Sequence, residues 1–184
     1  MLESVNASMP VVNGNDILIS ECYQIGSSLL TIKGNGYEVT WKDDRRKREK
    51  ALRAHWNTPI YLDGYLYGCS GRNKPDADLR CIEWKTGKVK WVKVFPGFLR
   101  ERSSLLYVDG HFIYQGELGV LRLIKANPEK YEVVSEVVLR DPDEKEQPRA
   151  LLREPCWAAP ILSHGLLYVR GDERLACLEL IPAR

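Results

Sequence analysis

Histidine, cysteine, aspartate, serine and tryptophan are the residues from which this chain would have to build chemistry. Its histidines are His55, His111 and His164, and no two of them stand at a metal-ligand spacing. They read as loop residues facing solvent. The five cysteines, Cys22, Cys69, Cys81, Cys156 and Cys177, are odd in number and contain neither a Cys-x-x-Cys nor an adjacent pair. Cys81 and Cys177 occupy like positions in Leu79-Arg80-Cys81-Ile82-Glu83 and Leu175-Ala176-Cys177-Leu178-Glu179, and read as small apolar thiols packed in a core. Ser70-Gly71 and Ser103-Ser104 lack the glycine frame and placed histidine of a serine nucleophile. Asp63 and Asp109 each precede a glycine, which marks turn formers rather than a catalytic pair. Gly34-Asn35-Gly36 and Gly116–Gly119 are turns, not phosphate loops, because no helical pattern follows. No catalytic, cofactor-binding or metal-binding residue is assigned. One pattern remains: Trp56 and Trp157 each stand three residues before a proline, Pro59 and Pro160.

The elements that would position these residues are short strands. Tyr61-Leu62 and Tyr65-Leu66-Tyr67 flank Asp63-Gly64, a strong hairpin signal because the favoured two-residue turn needs positive φ. Lys85-Thr86-Gly87-Lys88 marks a second hairpin, and Pro59 suits the first residue of a strand. Together they predict one four-stranded antiparallel sheet ending at Trp91. The first hairpin recurs around Gly14, Gly110 and Gly165, so that Gly14, Gly64, Gly110 and Gly165 are 50, 46 and 55 residues apart. Those intervals match the length of a propeller blade. The expected fold is all-β: a β-propeller of four-stranded antiparallel blades in one partial domain, 1–184. Its units are approximately 8–41, 57–92, 103–139 and 158–184. The fourth unit stops at Ile181-Pro182-Ala183-Arg184, before any fourth strand, and Met1–Ser8 is a poor candidate to supply one. About four blades are therefore expected, as an incomplete ring or half of a larger one.

Stacked blades need filling at their seams. Trp41 and Trp91 end the fourth strand of the first two units, while the third, Tyr131–Leu139, has no tryptophan. Trp41, Trp91 and the turn glycines Gly14, Gly64, Gly110 and Gly165 are assigned structural, inter-blade roles. Burying an indole of roughly 150–250 Å² at about 25 cal/mol per Å² gives about 4–6 kcal/mol gross. Segments that lead into innermost strands form one rim of a propeller. His55, Trp56, Asn57 and Trp157 are therefore the candidate central binding surface.

The net charge of +2 predicts no nucleic-acid partner, and no apolar run approaches the roughly 18 residues of a membrane span. The start, Met1–Asn6, has no basic n-region or apolar core, so no signal peptide is visible. Lys42–Lys50 and Arg140–Pro148 are dense in charges of both signs and are expected to be solvated loops.

At Cys81–Trp91 the chain resembles the repeat of pyrroloquinoline-quinone (PQQ)-like β-propellers. Thr86, Gly87 and Trp91 match that repeat, while Cys81 stands for its usual alanine and Glu83 for its usual aspartate. The match is partial at Ile32–Trp41, and Cys156–Pro160 is similar to secreted bacterial members. The family holds eight-bladed quinone-dependent alcohol dehydrogenases and a non-catalytic scaffold of outer-membrane-protein assembly, so the repeat alone does not imply the cofactor. The enzymes use a vicinal disulfide, a calcium ligand set and a catalytic aspartate. This chain has no vicinal cysteines, and none of its residues aligns with the others. The resemblance thus implies a non-catalytic binding or protein-interaction scaffold, periplasmic or secreted, without cofactor. The alternative is the C-terminal part of a PQQ-dependent dehydrogenase whose catalytic residues, quinone and calcium lie outside this chain. A third reading is an accessory domain whose tryptophan rim binds carbohydrate or peptide. Self-association or missing N-terminal blades would complete the ring.

Overall fold

A computed structural model describes residues 6–96, 101–141 and 149–180. Met1–Val5, most of the Arg140–Pro148 loop and the Ile181–Arg184 ending lie outside the described residues. Helix is confined to one 3-10 turn, Lys74–Asp76, and no helix among the described residues is long and apolar enough to cross a membrane. The chain forms two compact units, 1–102 with 127–131, and 103–126 with 132–184.

The first unit holds two antiparallel sheets. β1 (Val11–Asn13), β2 (Asp16–Ser20), β3 (Ser27–Lys33) and β4 (Gly36–Lys42) pair in sequence order, as do β5 (Ile60–Leu62), β6 (Tyr65–Ser70), β7 (Asp78–Glu83) and β8 (Val89–Lys93). Leu18, Leu29, Leu52, Ala54, Leu66, Ile82 and Trp84 form the core cluster between them. Leu52 and Ala54 come from the segment joining the sheets, which the burial pattern makes part of the core rather than a surface linker.

The second unit holds β9 (Ser103–Val108), β10 (His111–Gly116), β11 (Val120–Lys125) and β12 (Val133–Val138) in one sheet. Its other sheet has three strands, β13 (Ile161–Ser163), β14 (Leu166–Arg170) and β15 (Leu175–Glu179). Its core gathers Ile113, Leu121, Leu152, Cys156, Leu167, Val169 and Ala176. No described strand pairs with the outer edge of β15.

Each sheet opens with a two-residue hairpin turn. In three of them both turn residues have positive φ: Asp63 and Gly64, Asp109 and Gly110, His164 and Gly165. In the first, Gly14 takes the leading position and Asn15 does not share its positive φ, so the glycine sits one place earlier than the repeat alignment expects. At or just past the end of each third strand one backbone bond returns to the turn: Ile32 N–H to Asn15, Trp84 to Gly64, Ala126 to Gly110 and Leu180 to Gly165, at 2.8–2.9 Å. These bonds fix the repeat equivalence residue by residue. The outer strands share a further feature. Each complete sheet carries one bulge, and the residue just past it pairs Trp41 with Leu29, Trp91 with Cys81 and Ser135 with Leu123.

Candidate functional site

Trp41 and Trp91 are each held from the strand bulge. Trp41 is half-buried against the first core, and its Nε1 donates to the Trp84 carbonyl at 2.7 Å. Trp91 Nε1 donates to the Asn127 carbonyl at 3.0 Å, and its ring meets Tyr131 edge-on at 5.9 Å. The hairpin glycines Gly14, Gly64 and Gly110 make no such seam contact, since a Cβ on any of them would meet nothing within 4 Å. Their part is turn conformation. The seam glycine is Gly87, where φ is +72° and a Cβ would lie 2.8 Å from the Trp41 ring.

Sequence reasoning passed over Trp84 and Asp16. Trp84 is buried, meets Tyr61 at 4.9 Å, and donates through Nε1 to Asp16 Oδ2 at 3.2 Å. Asp16 also accepts from Lys85 Nζ at 2.5 Å and Thr31 Oγ1 at 2.7 Å. The Lys85 bond, then that of Thr31, holds its carboxyl below the usual value. The lone acidic residue that follows the Gly14-Asn15 turn was the available signal. Asp16 joins the first sheet to the turn of the second.

The rim of the first unit is built from Ala51–Asn57 and two loops, 21–26 and 70–77. Ser27 Oγ donates to the Leu52 carbonyl at 2.9 Å, and Ala54 N–H donates to Ser20 Oγ at 3.0 Å. Arg53 N–H donates to Ser70 Oγ at 3.0 Å, and Gly71 N–H to the Arg53 carbonyl at 2.8 Å. Glu21 is buried and accepts from the backbone N–H groups of Tyr23, Gln24, Ile25 and Gly26. Burial pushes its carboxyl up, but the four donors outweigh that and hold it below the usual value. Arg80 spans the same region, bidentate to Asp78 and donating to the Lys50 and Ala51 carbonyls. The charge run is thus only partly solvated, because Asp43 caps Ser27 and Ala51, and Lys50 is buried with Nζ on the Asp44 carbonyl.

On this rim His55 is half-buried rather than free in solvent. Its Nδ1 lies 3.2 Å from Arg102 Nη1, and its ring meets Tyr23 at 5.9 Å. The Arg72 guanidinium covers Tyr23 at 4.6 Å. Trp56 is half-buried beside it. Asn57 departs from the expected surface role: it is buried, and Nδ2 donates to the Cys69 carbonyl at 3.2 Å. An amide beside a strand end finds a backbone acceptor more readily than a ligand.

The fourth predicted residue, Trp157, belongs to the second unit. It is 49% exposed, and Nε1 donates to Oε2 of the buried Glu117 at 3.0 Å. Pro155, Trp157, Ala158, Arg170, Gly171 and Asp172 line a cleft of about 220 Å³. Leu152-Arg153 repeats Leu52-Arg53: the leucine is buried, and the Arg153 carbonyl accepts from Asp172 N–H at 3.0 Å. That recurrence, visible in the sequence, identifies the rim segments of both units.

The second unit also has an apolar cleft of about 340 Å³ between its two sheets, where Ile113, Leu121, Leu123, Val137, Leu167, Leu178 and Leu180 meet Ser135 and Arg122. Beside it, β15 leaves Leu175 and Cys177 exposed. Cys177 therefore departs from the core role expected of it. Its counterpart Cys81 is covered by β8, whereas no described strand covers Cys177. Among the described residues, no three His, Cys, Asp or Glu side chains converge to hold a metal ion, and none of the five cysteines forms a disulfide. With no two cysteines adjacent, the chain does not supply a vicinal disulfide.

Repeated antiparallel sheets of three or four strands, indoles at the strand bulges and rim segments entering inner strands are those of β-propeller blades. The chain is similar to the crystal structure of BamB from Moraxella catarrhalis, with a TM-score of 0.60 at 13% identity, over 97% of this chain and 48% of that one. It is similar also to a europium-containing methanol dehydrogenase, with a TM-score of 0.51 at 16% identity, over 76% of this chain and 27% of that one. The chain spans about half or less of the length of these structures. No family model and no curated protein matches it.

Proposed function

We propose that this chain is a non-catalytic segment of a PQQ-like propeller that serves as a protein-interaction scaffold. Its blades would be completed into a ring by further blades or by a second copy, and its location would be periplasmic or secreted, as the resemblance implies. The observation that supports the reading is the open apolar cleft between the two sheets of the second unit, with Leu175 and Leu180 exposed beside it. Exposed apolar surface of that kind marks an interaction site more often than a solvated face. The buried carboxylates Asp16, Glu21 and Glu117 are each engaged by donors of the fold itself, which suits structural work. The likeness to a methanol dehydrogenase supports the alternative, a fragment of a quinone enzyme, at the level of fold.

A photo-activated crosslinker attached at Cys177 should give a discrete adduct with another protein in cells, and Leu180→Asp should remove it. Adding the quinone with calcium to the purified chain should leave its absorbance unchanged and produce no dye-linked alcohol oxidation. Oxidation with no adduct would favour the enzyme fragment.

A further inference from the structure

Each complete sheet ends in an outer strand whose far edge meets no described strand, and the three edges are not alike. β4 carries Glu38 and Lys42, and β8 carries Lys90 and Lys93. Charged side chains, lysine above all, keep such edges from pairing with another chain. β12 reads Val133-Val134-Ser135-Glu136-Val137-Val138, without lysine, and Val133, Val134 and Val137 are 46%, 55% and 49% exposed. Its one charge is already engaged, because Glu136 Oε2 accepts from Nε of the buried Arg122 at 2.5 Å. A short run of high β-propensity and low net charge, free of glycine and proline, is the kind that pairs edge to edge. Past its bulge at Val134 the strand is regular, and the chain runs on through Leu139 to the bridge of Arg140 with Ala150. That bridge lies on the β11 side, since a Cβ on Gly119, the residue before β11, would meet the Leu152 carbonyl. It leaves the outer edge of 135–140 clear.

We propose that a second copy of this chain pairs with β12, antiparallel and two-fold symmetric, joining two four-stranded sheets into one continuous sheet. The inference goes beyond the scaffold reading and does not depend on it. What selects the occupant is self-complementarity. A two-fold axis normal to the sheet keeps every side chain on its own face, so each residue must meet one from the same face, and the axis must pass through a residue position. Centred on Val138, the pairing sets Val137 against the partner's Leu139 and Glu136 against the partner's Arg140, each twice. Centred on Glu136 it would set two carboxylates together, and centred on Ser135 or Val137 it would set Glu136 against a valine. Apolar and opposite-charge pairs directly across an antiparallel ladder stabilise it, and like charges there destabilise it. The Val138 register also falls wholly on the regular side of the bulge.

Val138 stands on the axis, where paired Cα atoms come within the roughly 4.4–6.8 Å that a disulfide spans. Val138→Cys, in a chain that also carries Cys177→Ser, should therefore crosslink into a dimer under a mild oxidant such as diamide. Val92→Cys in the same background, on the outer strand β8 and 46% exposed, should stay monomeric. Sedimentation of the unaltered chain should show a monomer–dimer equilibrium. Arg140→Glu sets like charges against each other and should raise the dissociation constant about tenfold or more. Absence of a Val138 crosslink would overturn the proposal whatever the state of association, because dimers through other surfaces leave that position apart. A crosslink together with an Arg140→Glu chain that associates as before would overturn the register. If Val138→Cys does not fold, hydrogen exchange of the unaltered chain decides. The β12 amides should exchange more slowly as concentration rises while those of β4 and β8 do not, and no difference among the three strands would overturn pairing at β12.

Discussion

Glu21 spends its charge on the backbone of its own loop, while Asp16 spends its charge on a neighbouring sheet. The native Glu21 carboxyl titrates below its value in an unfolded chain, about 4.3. Its stabilisation is therefore complete above that pH. As pH falls through the native value, the unfolded chain takes up its proton first and stability is lost. Thermal melts should show Tm level above about pH 5 and falling below about pH 4.5. Glu21→Gln should lose about 1–3 kcal/mol at neutral pH and show a shallower acid decline. Gly87 answers to two constraints, a φ of +72° and the Trp41 ring close above it. Gly87→Ala should cost about 1–3 kcal/mol, read by denaturant unfolding, whereas Gly64→Ala meets only the strain of its turn. Composition reveals neither constraint, because both come from what the fold brings alongside the residue.

The strands were legible because their turns are. Asp63-Gly64, Asp109-Gly110 and Thr86-Gly87 announce reversals that local φ preferences enforce. Gly14 was misplaced by one position because a glycine can lead or follow in a two-residue turn. Burial of individual strand residues was less legible, since it depends on which strand lies outside. Cys81 and Cys177 share a repeat position, yet β8 covers one and no described strand covers the other. Burial pushes the Cys22 and Cys81 thiols up to about 11, which leaves almost no thiolate at neutral pH. A disulfide reagent should therefore titrate one thiol in the native chain, at Cys177, and all five after denaturation. Cys177→Ser should remove the native reaction. A fast native reaction at two or more thiols would mean that the buried cysteines are less enclosed than described.

At the scale of the molecule, repetition made the architecture readable and the site hard to read. Four copies of one pattern reinforce each other, so the period survives even where single strands are weak. A site in a repeat protein is the place where one copy departs from the others, and a departure looks like noise until the register is fixed. The missing tryptophan of the third outer strand was visible as an absence. Only the pairing of Ser135 with Leu123 shows that it falls at the position of Trp41 and Trp91. His55, Trp56 and Trp157 were singled out by position relative to the prolines, and the structure adds their supports: Tyr23, Arg102 and Glu117. The same positional logic could not foresee that Asn57 turns inward.

The indole bonds of Trp41 and Trp91 both run forward along the chain, each to an acceptor that is synthesised later. Trp41 must wait 43 residues for the Trp84 carbonyl, about 2–9 s at ribosomal rates of ~5–20 residues per second. During that interval the first sheet exists without its latch. The first sheet is thus fastened by its successor, which gives assembly of the first unit on the ribosome a direction.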